Sequence, residues 1–80
     1  MNVIAEERWS HVLFDDGQGW VLTLLMGGVV DIDVSIRLTT QEIAQIRSDP
    51  AQLKQLVRSV QQGRNAFAAR EIRPPVWPPN

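Results

Sequence analysis

Hydrophobic and polar residues alternate with a period of two over residues 29–38, and this is the clearest pattern in the chain. The apolar positions of this run are Val30, Ile32, Val34, Ile36 and Leu38. Such a period puts one set of side chains on a buried face and the other set on a wet face of a strand. Residues 8–14 and 20–26 are also rich in aromatic and branched residues, and glycine-containing turn segments separate the three runs. The pattern predicts a three-stranded antiparallel meander.

The second of these runs, residues 20–26, is apolar on both faces. Trp20, Leu22 and Leu24 share one face, and Val21 and Leu25 lie on the other. In a meander this run is the central strand, so helices are expected to cover one of its faces. The other face is expected to be covered by Trp9, by the C-terminal tail or by a second molecule. This surplus apolar surface is the strongest sequence-level indication of an interface.

The period changes to that of a helix after Leu38. A capping box over residues 39–42 predicts the start of a first helix, and Pro50 suits the first position of a second. Gly63 predicts a break before a third helix. The helices are expected at about 40–47, 50–62 and 65–71, packed on one face of the sheet. Residues 1–72 are thus predicted to form a single α+β domain, and the proline-rich residues 73–80 to form an extended tail.

The composition of the chain limits the classes of protein to which it can belong. Eighty residues suffice for one core, and without cysteine neither disulfides nor thiolate zinc sites are available within the chain. The first residues lack the apolar stretch of an export signal, and the apolar run 20–30 is too short to span a bilayer. We therefore expect a cytoplasmic protein with no membrane association.

The net charge of −1 hides an asymmetry along the chain. Residues 1–38 contain six acidic and two basic residues, whereas residues 39–80 contain three acidic and six basic residues. Such a separation of charge can orient a partner through its electric field. The alternative is that the two halves attract each other within the fold.

The chain offers little catalytic chemistry. His11 is its only histidine, and no nucleophile or orienting acid is identifiable beside it in the sequence. We therefore predict no catalytic residues, no metal site and no cofactor, and a protein that is not an enzyme. His11 shares a predicted strand face with Trp9 and Leu13, where it is interpreted as a packed or interfacial residue.

Acidic and aromatic residues are the predicted partner-binding residues. Asp31 and Asp33 lie on one face of the third predicted strand, and Asp15 and Asp16 lie at the tip of the neighbouring hairpin. This group is predicted to be a docking patch for a basic partner, with a solvated polar sheet face as the alternative. Close contact is expected from three residues near the patch, namely Trp9, Trp20 and His11. Trp77 is predicted either to fold back onto the domain or to contact a partner.

Basic residues give a further hypothesis, a small nucleic-acid-binding regulator. Lys54 and Arg58 are four residues apart on the second predicted helix, and Arg64 and Arg70 follow. Nucleic-acid binding is nevertheless the least favoured of the binding hypotheses, because the acidic half of the chain would repel a phosphate backbone.

Part of the chain resembles small uncharacterised bacterial proteins. The resemblance lies in residues 34–43, in Asp49-Pro50 and in residues 67–72. Some proteins of this kind are similar to immunity proteins encoded beside secreted antibacterial toxins. The resemblance implies a cytosolic protein that binds and inhibits one cognate toxin and does no chemistry itself, and it assigns no site residues.

Three hypotheses therefore stand at the level of sequence. The first is a non-catalytic protein-binding domain, of the immunity type, that meets a basic partner. The second is a homodimer or complex subunit that buries the spare face of residues 20–26. The third is the nucleic-acid-binding regulator.

Overall fold

The computed structural model describes residues 2–26 and 32–78. They form an antiparallel sheet of five strands in the order β1-β2-β3-β4-β5, together with three helices. The strands are β1 Asn2–Glu7, β2 His11–Asp15, β3 Trp20–Met26, β4 Ile32–Arg37 and β5 Glu71–Ile72. The helices are α1 Thr40–Ser48, α2 Ala51–Gln62 and a 3₁₀ helix, Arg64–Arg70. The α+β class is confirmed, whereas the predicted number of strands is wrong, because the antiparallel meander has five strands and not three.

The two additional strands lie at the edges of the sheet. β1 pairs with β2, although its residues include the charged Glu6 and Glu7. Residues 8–10, predicted as the start of a strand, instead make the turn between β1 and β2. β5 has two residues and pairs with β4 after the helices return the chain to the sheet. The predicted Gly27-Gly28 turn and residues 29–31 of the predicted third strand lie outside the described residues.

One face of the sheet, called the helix face, carries the larger core. Strand residues from β2, β3 and β4 meet apolar residues of α1 and α2 on this face. The buried members are Leu13, Trp20, Leu22, Leu24, Val34, Ile36, Leu38, Ile46, Leu53, Val57 and Val60. Burial of this set supplies most of the driving force for folding, because apolar area removed from water stabilises by roughly 25 cal/mol per Å².

Local signals explain where the helices begin and end. The Thr39 hydroxyl accepts from the Glu42 amide at 3.1 Å, and the Glu42 carboxylate accepts from the Thr39 amide at 2.8 Å. This is the predicted capping box. The Asp49 carboxylate accepts from the Ala51 amide at the start of α2. The helix ends before Gly63, so Arg64 leaves the apolar stripe and forms an ion pair with Glu71 at 2.6 Å.

The opposite face, called the tail face, carries a smaller core. Val12, Phe14 and Val21 are buried there, and Ile72 and Val76 pack against them. Residues 20–24 of the central strand are therefore buried on both faces by this chain alone, while Leu25 and Met26 remain half-buried. Part of the surplus apolar surface expected on this strand is thus covered by the chain's own C-terminal segment.

Two buried hydroxyls hold that C-terminal segment in place. The Val76 amide donates to Ser35 Oγ at 2.8 Å, and Thr23 Oγ1 donates to the Val76 carbonyl at 2.5 Å. The two hydroxyl oxygens are 2.6 Å apart, which closes a hydrogen-bonded ring. Thr23 and Ser35 are fully buried, and each has its hydrogen-bonding groups satisfied by this arrangement.

Candidate functional site

The turn between β1 and β2 holds its tryptophan in an unusual backbone conformation. The Ser10 amide donates to the Glu7 carbonyl at 3.0 Å, which closes a four-residue turn. Trp9 occupies its third position with φ of 66°. A positive φ at this position is normally adopted by glycine or asparagine, and it is costly for a bulky residue. The Trp9 side chain is 80 % exposed, so no core packing offsets that cost.

An open groove lies beside this turn. It has a volume of about 610 Å³, and it is lined by residues 6–11 together with Leu25, Asp33 and Trp77. This surface, called the Trp9 groove, brings together the turn, the central strand, β4 and the C-terminal segment. Trp9 and Trp77 are both exposed to solvent, Trp77 by 43 %. Exposed tryptophans beside a concave surface are typical of protein contact sites.

The charge of the groove is mainly negative. Its lining residues include Glu6, Glu7 and Asp33 against the single guanidinium of Arg8, but the Glu7 carboxylate lies toward His11 on the helix face of the sheet. Arg8 lies over the Trp9 ring at 5.5 Å from the ring centroid. Among the described residues, Glu6 and Asp33 take part in no ion pair, and Glu7 only approaches His11 at 3.9 Å. Within the described ranges, the acidic residues of the groove therefore form no ion pair with an arginine or a lysine.

Asp33 links the sheet to the C-terminal segment. Its Oδ2 atom accepts a hydrogen bond from the Trp77 indole nitrogen at 2.7 Å. This bond holds Trp77 at the wall of the groove and leaves the second carboxylate oxygen of Asp33 without a hydrogen bond to the described residues. Two predicted partner-binding residues from distant parts of the sequence, Asp33 and Trp77, thus form one unit.

His11 borders the groove, but its side chain is buried. Its Nδ1 atom lies 2.8 Å from the Ser10 hydroxyl. Burial lowers the pKa of His11 below its ordinary value of 6.5; nearby Glu7 opposes this effect and Lys54 adds to it. A neutral imidazole at pH 7 follows from that direction. His11 supports the turn from below rather than contacting solvent.

Asp15 and Asp16 do not join this site. They lie at the other end of β2, about 17 Å from the turn at the usual rise of a strand, and they organise the β2–β3 hairpin. Asp15 accepts from the Gly17 amide at 2.8 Å, and Asp16 forms two 2.8 Å bonds with the Arg37 guanidinium. These bonds with Arg37 lower the pKa of Asp16 to about 2. The geometry therefore gives both carboxylates a role inside the hairpin and does not place them in the predicted docking patch.

Trp20 is also separate from the groove. It is 8 % exposed and belongs to the core on the helix face, where Arg47 of α1 lies 5.1 Å from its ring centroid. The predicted contact between Trp20 and a partner conflicts with this burial. Its face of the central strand is the one that the helices cover. Asp31, the other half of the predicted acidic pair, lies outside the described residues.

Five residues of the groove were not predicted from the sequence, and four of them belong to the missed strand β1 or to its turn. They are Glu6, Glu7, Arg8, Ser10 and Leu25. The short apolar run Val3-Ile4-Ala5 was the available signal for β1. The turn contains no glycine, proline or asparagine, and Ser10 is its one residue of a type common in turns, which is a weak signal.

Most of the arginines in the second half of the chain are engaged in ion pairs. Arg70 pairs with Glu42 at 2.5 Å, and Arg64 and Arg73 both pair with Glu71. Lys54 and Arg58 remain exposed on α2. This pairing lowers the positive field available to a phosphate backbone and counts against the nucleic-acid hypothesis.

The described residues contain no group of three or more histidine, cysteine, aspartate or glutamate side chains arranged to hold a metal ion. None of the helices in the described ranges combines the length and apolar character needed to cross a membrane.

The fold and the groove together define a small α+β domain with an acidic, tryptophan-bearing surface at one end of its sheet. Comparison with protein-family models, with curated proteins and with solved structures gave no match to this chain.

Proposed function

We propose that this domain is a non-catalytic, cytoplasmic protein-binding module and that the Trp9 groove is its contact surface. The observation that carries the proposal is the conformation of Trp9, a large apolar side chain kept in water at a positive φ. Backbone strain of this kind concentrates at functional sites, where a specific side chain is needed at a specific place. Tryptophan is also among the residues that contribute most to binding when a partner buries them.

The charge of the groove supports a basic partner. The carboxylates of Glu6 and Asp33 outnumber the one guanidinium of Arg8 and attract positive charge over roughly one Debye length, about 8 Å at physiological salt. Attraction of this kind raises the rate of association and selects among partners, while burial of the indole rings supplies most of the affinity. Under the resemblance to immunity proteins, the partner is a basic bacterial toxin, and binding of the domain inhibits it.

Site-specific crosslinking in the native host tests the proposal. A photo-reactive phenylalanine derivative replaces Trp9 in one variant and Gln61 in a matched control, since Gln61 is exposed on α2 at the helix side of the sheet. We expect a discrete crosslinked partner from position 9 and none from position 61. Equal products from both positions, or none from position 9, would contradict the proposal.

The captured partner then allows affinity to be measured with purified proteins. We expect Trp9→Gly to weaken binding by about a hundredfold, as for loss of a central aromatic contact of about 2.7 kcal/mol. Asp33→Asn removes charge but keeps an acceptor for the Trp77 indole. It should lower the affinity and reduce the dependence of the affinity on salt. Gln61→Ala should change neither quantity. If the partner is a toxin, the wild-type domain should also restore growth of cells that produce it.

The second candidate is self-association through the edge strand β1. Val3 and Ile4 of this strand are 51 % and 39 % exposed, and an edge strand presents unpaired backbone groups to a second chain. Sedimentation equilibrium across micromolar concentrations tests this candidate. Val3→Lys should convert a dimer to a monomer, because lysine on an edge strand disfavours pairing, whereas Gln61→Lys should not. A wild-type monomer at every concentration would remove this candidate.

A further inference from the structure

We propose that the group recognised by the Trp9 groove is an arginine side chain of the partner, stacked on the Trp9 indole and paired with the carboxylates of the groove. This inference rests on the proposed function and names the chemistry of its partner. The occupant follows from two properties that the groove combines, exposed indole rings and an excess of negative charge.

The indole of Trp9 already has a guanidinium beside it. Arg8 lies 5.5 Å from the centroid of the ring, within the range of a cation–π contact. The remaining exposed surface of Trp9 presents the same π-system to a second cation. Arginine stacks on tryptophan better than lysine does, because its guanidinium is planar and more weakly hydrated.

The carboxylates supply the second half of the recognition. Glu6 comes from β1 and Asp33 comes from β4, so acidic residues of two different strands line the groove. Asp33 offers the oxygen that Trp77 does not use. A guanidinium has five N–H donors in a fixed fork, which lets it bond to a carboxylate while its face stays on an indole. An ammonium group cannot satisfy both contacts in the same way.

The arginine ion pairs elsewhere in the fold do not involve the acidic residues of the groove. Each ion pair among the described residues that involves an arginine joins partners from the same half of the chain. The basic second half therefore does not neutralise the groove through any of these pairs. The negative charge predicted for the first half remains available to a partner at this surface.

Three short peptides test the inference on the full chain. They are acetyl-Gly-Xaa-Gly-amide with arginine, lysine or citrulline at the central position, and citrulline keeps the shape of arginine without its charge. The readout is the indole N–H signal of each tryptophan in a ¹H–¹⁵N spectrum. Trp20 serves as an internal control, because it is buried on the other face of the sheet.

We expect the arginine peptide to shift the Trp9 and Trp77 signals saturably, in the millimolar range, and to leave Trp20 unchanged. The lysine peptide should bind several-fold more weakly and the citrulline peptide at least tenfold more weakly. Asp33→Asn should weaken arginine binding by about tenfold, the effect of losing one charged hydrogen-bond acceptor. Trp9→Gly should abolish it, whereas Gln61→Ala should leave it intact.

Two results would overturn the inference: no shift with the arginine peptide, or equal shifts with the arginine and citrulline peptides. Its failure is distinguishable from failure of the proposed function. A partner crosslinked through position 9 without an arginine shift would keep the function and reject the arginine. An arginine shift without any partner at position 9 would keep the guanidinium site and reject the protein-binding function.

Discussion

Glycine at position 9 would adopt without strain the backbone conformation that Trp9 adopts at a cost. The left-handed region disfavours an L-residue by roughly 1 to 2 kcal/mol, and Trp9 lies outside the core. We therefore expect Trp9→Gly to raise the free energy of unfolding by about 0.5 kcal/mol in urea denaturation, after loss of the weak contact with Arg8 and the entropic cost of ordering a glycine. The same substitution should weaken partner binding.

The neighbouring residue gives the control for this prediction. Arg8 is not among the residues with positive φ, so Arg8→Gly should gain nothing from glycine's freedom and should lower stability by about 0.5 kcal/mol. If both variants were destabilised alike, the contacts of the Trp9 side chain would stabilise the fold by more than its backbone strain costs. The stability argument for a functional tryptophan would then fail.

His11 predicts a dependence of stability on pH. Burial lowers its pKa in the folded state below 6.5, so the unfolded chain binds more protons whenever the pH falls below that value. Stability contributed by the neutral imidazole is present above pH 6.5 and is lost as the pH falls from there toward the folded-state pKa. Between pH 7.5 and 5.5 the loss should be at most about 1.4 kcal/mol.

Urea denaturation at several pH values measures this effect, with His11→Gln as the matched variant. Glutamine does not titrate, so the variant should show a flat profile between pH 7.5 and 5.5. Glu7 and Lys54 are the charged groups that act on His11. A wild-type profile as flat as that of the variant would show that His11 does not lose a proton on folding.

At the scale of elements, strands and helices differ in how well their sequences predict them. The capping box at Thr39 and the break at Gly63 are local signals, because the groups that make them are within a few residues of one another. β5 has no such signal, since its two residues become a strand only by pairing with β4 across more than thirty positions. β1 is similar, because its charged residues suit an edge strand and little else marks it.

The candidate site was predictable in part for the same reason. Trp9, Asp33 and Trp77 were each predicted as single residues, from their residue types and, for Asp33, from the alternation along the third predicted strand. Their meeting in one groove depends on the β1–β2 turn and on the return of the C-terminal segment to the sheet. Neither event has a local sequence signal. Asp16 and Trp20 were predicted in the same way but lie outside the groove. Asp16 pairs with Arg37, and Trp20 is buried beside Arg47 of α1.

The hydroxyl pair of β3 and β4 gives a prediction for the C-terminal segment. Thr23→Val keeps the volume but removes the donor to the Val76 carbonyl and breaks the hydrogen-bonded ring with Ser35. A buried polar group that loses its partner costs about 1 to 3 kcal/mol, so we expect a loss of stability in that range by urea denaturation. Ser59→Ala, which removes an exposed hydroxyl on α2, should cost less than about 0.5 kcal/mol. Equal effects of the two would contradict the role of the ring.

At the scale of the whole molecule, the sheet has a core on each face, and one short segment completes the smaller one. Val76 packs on Val12, Phe14 and Val21, whereas the larger core on the helix face is built from strands, helices and Leu38 between them. The tail face therefore has a single cover that the chain supplies from its C-terminal end. The same segment carries Trp77 to the groove, so the integrity of the smaller core and the shape of the candidate site are linked.

Removal of residues 74–80 tests this linkage. Loss of Val76 burial and of its two hydrogen bonds to the hydroxyls should lower stability by about 3 kcal/mol. A domain of this size has a total free energy of unfolding of roughly 4 to 12 kcal/mol, so the shortened chain should still fold.

Trp77→Ala separates the two roles of the segment, because it keeps Val76 in place and removes the groove wall with its bond to Asp33. We therefore expect Trp77→Ala to weaken binding of the partner with only a small loss of stability. The deletion should weaken binding and also lower stability. It should self-associate through the uncovered apolar face, which sedimentation velocity would detect. A shortened chain as stable and as monomeric as the full one would mean that the segment does not complete a core.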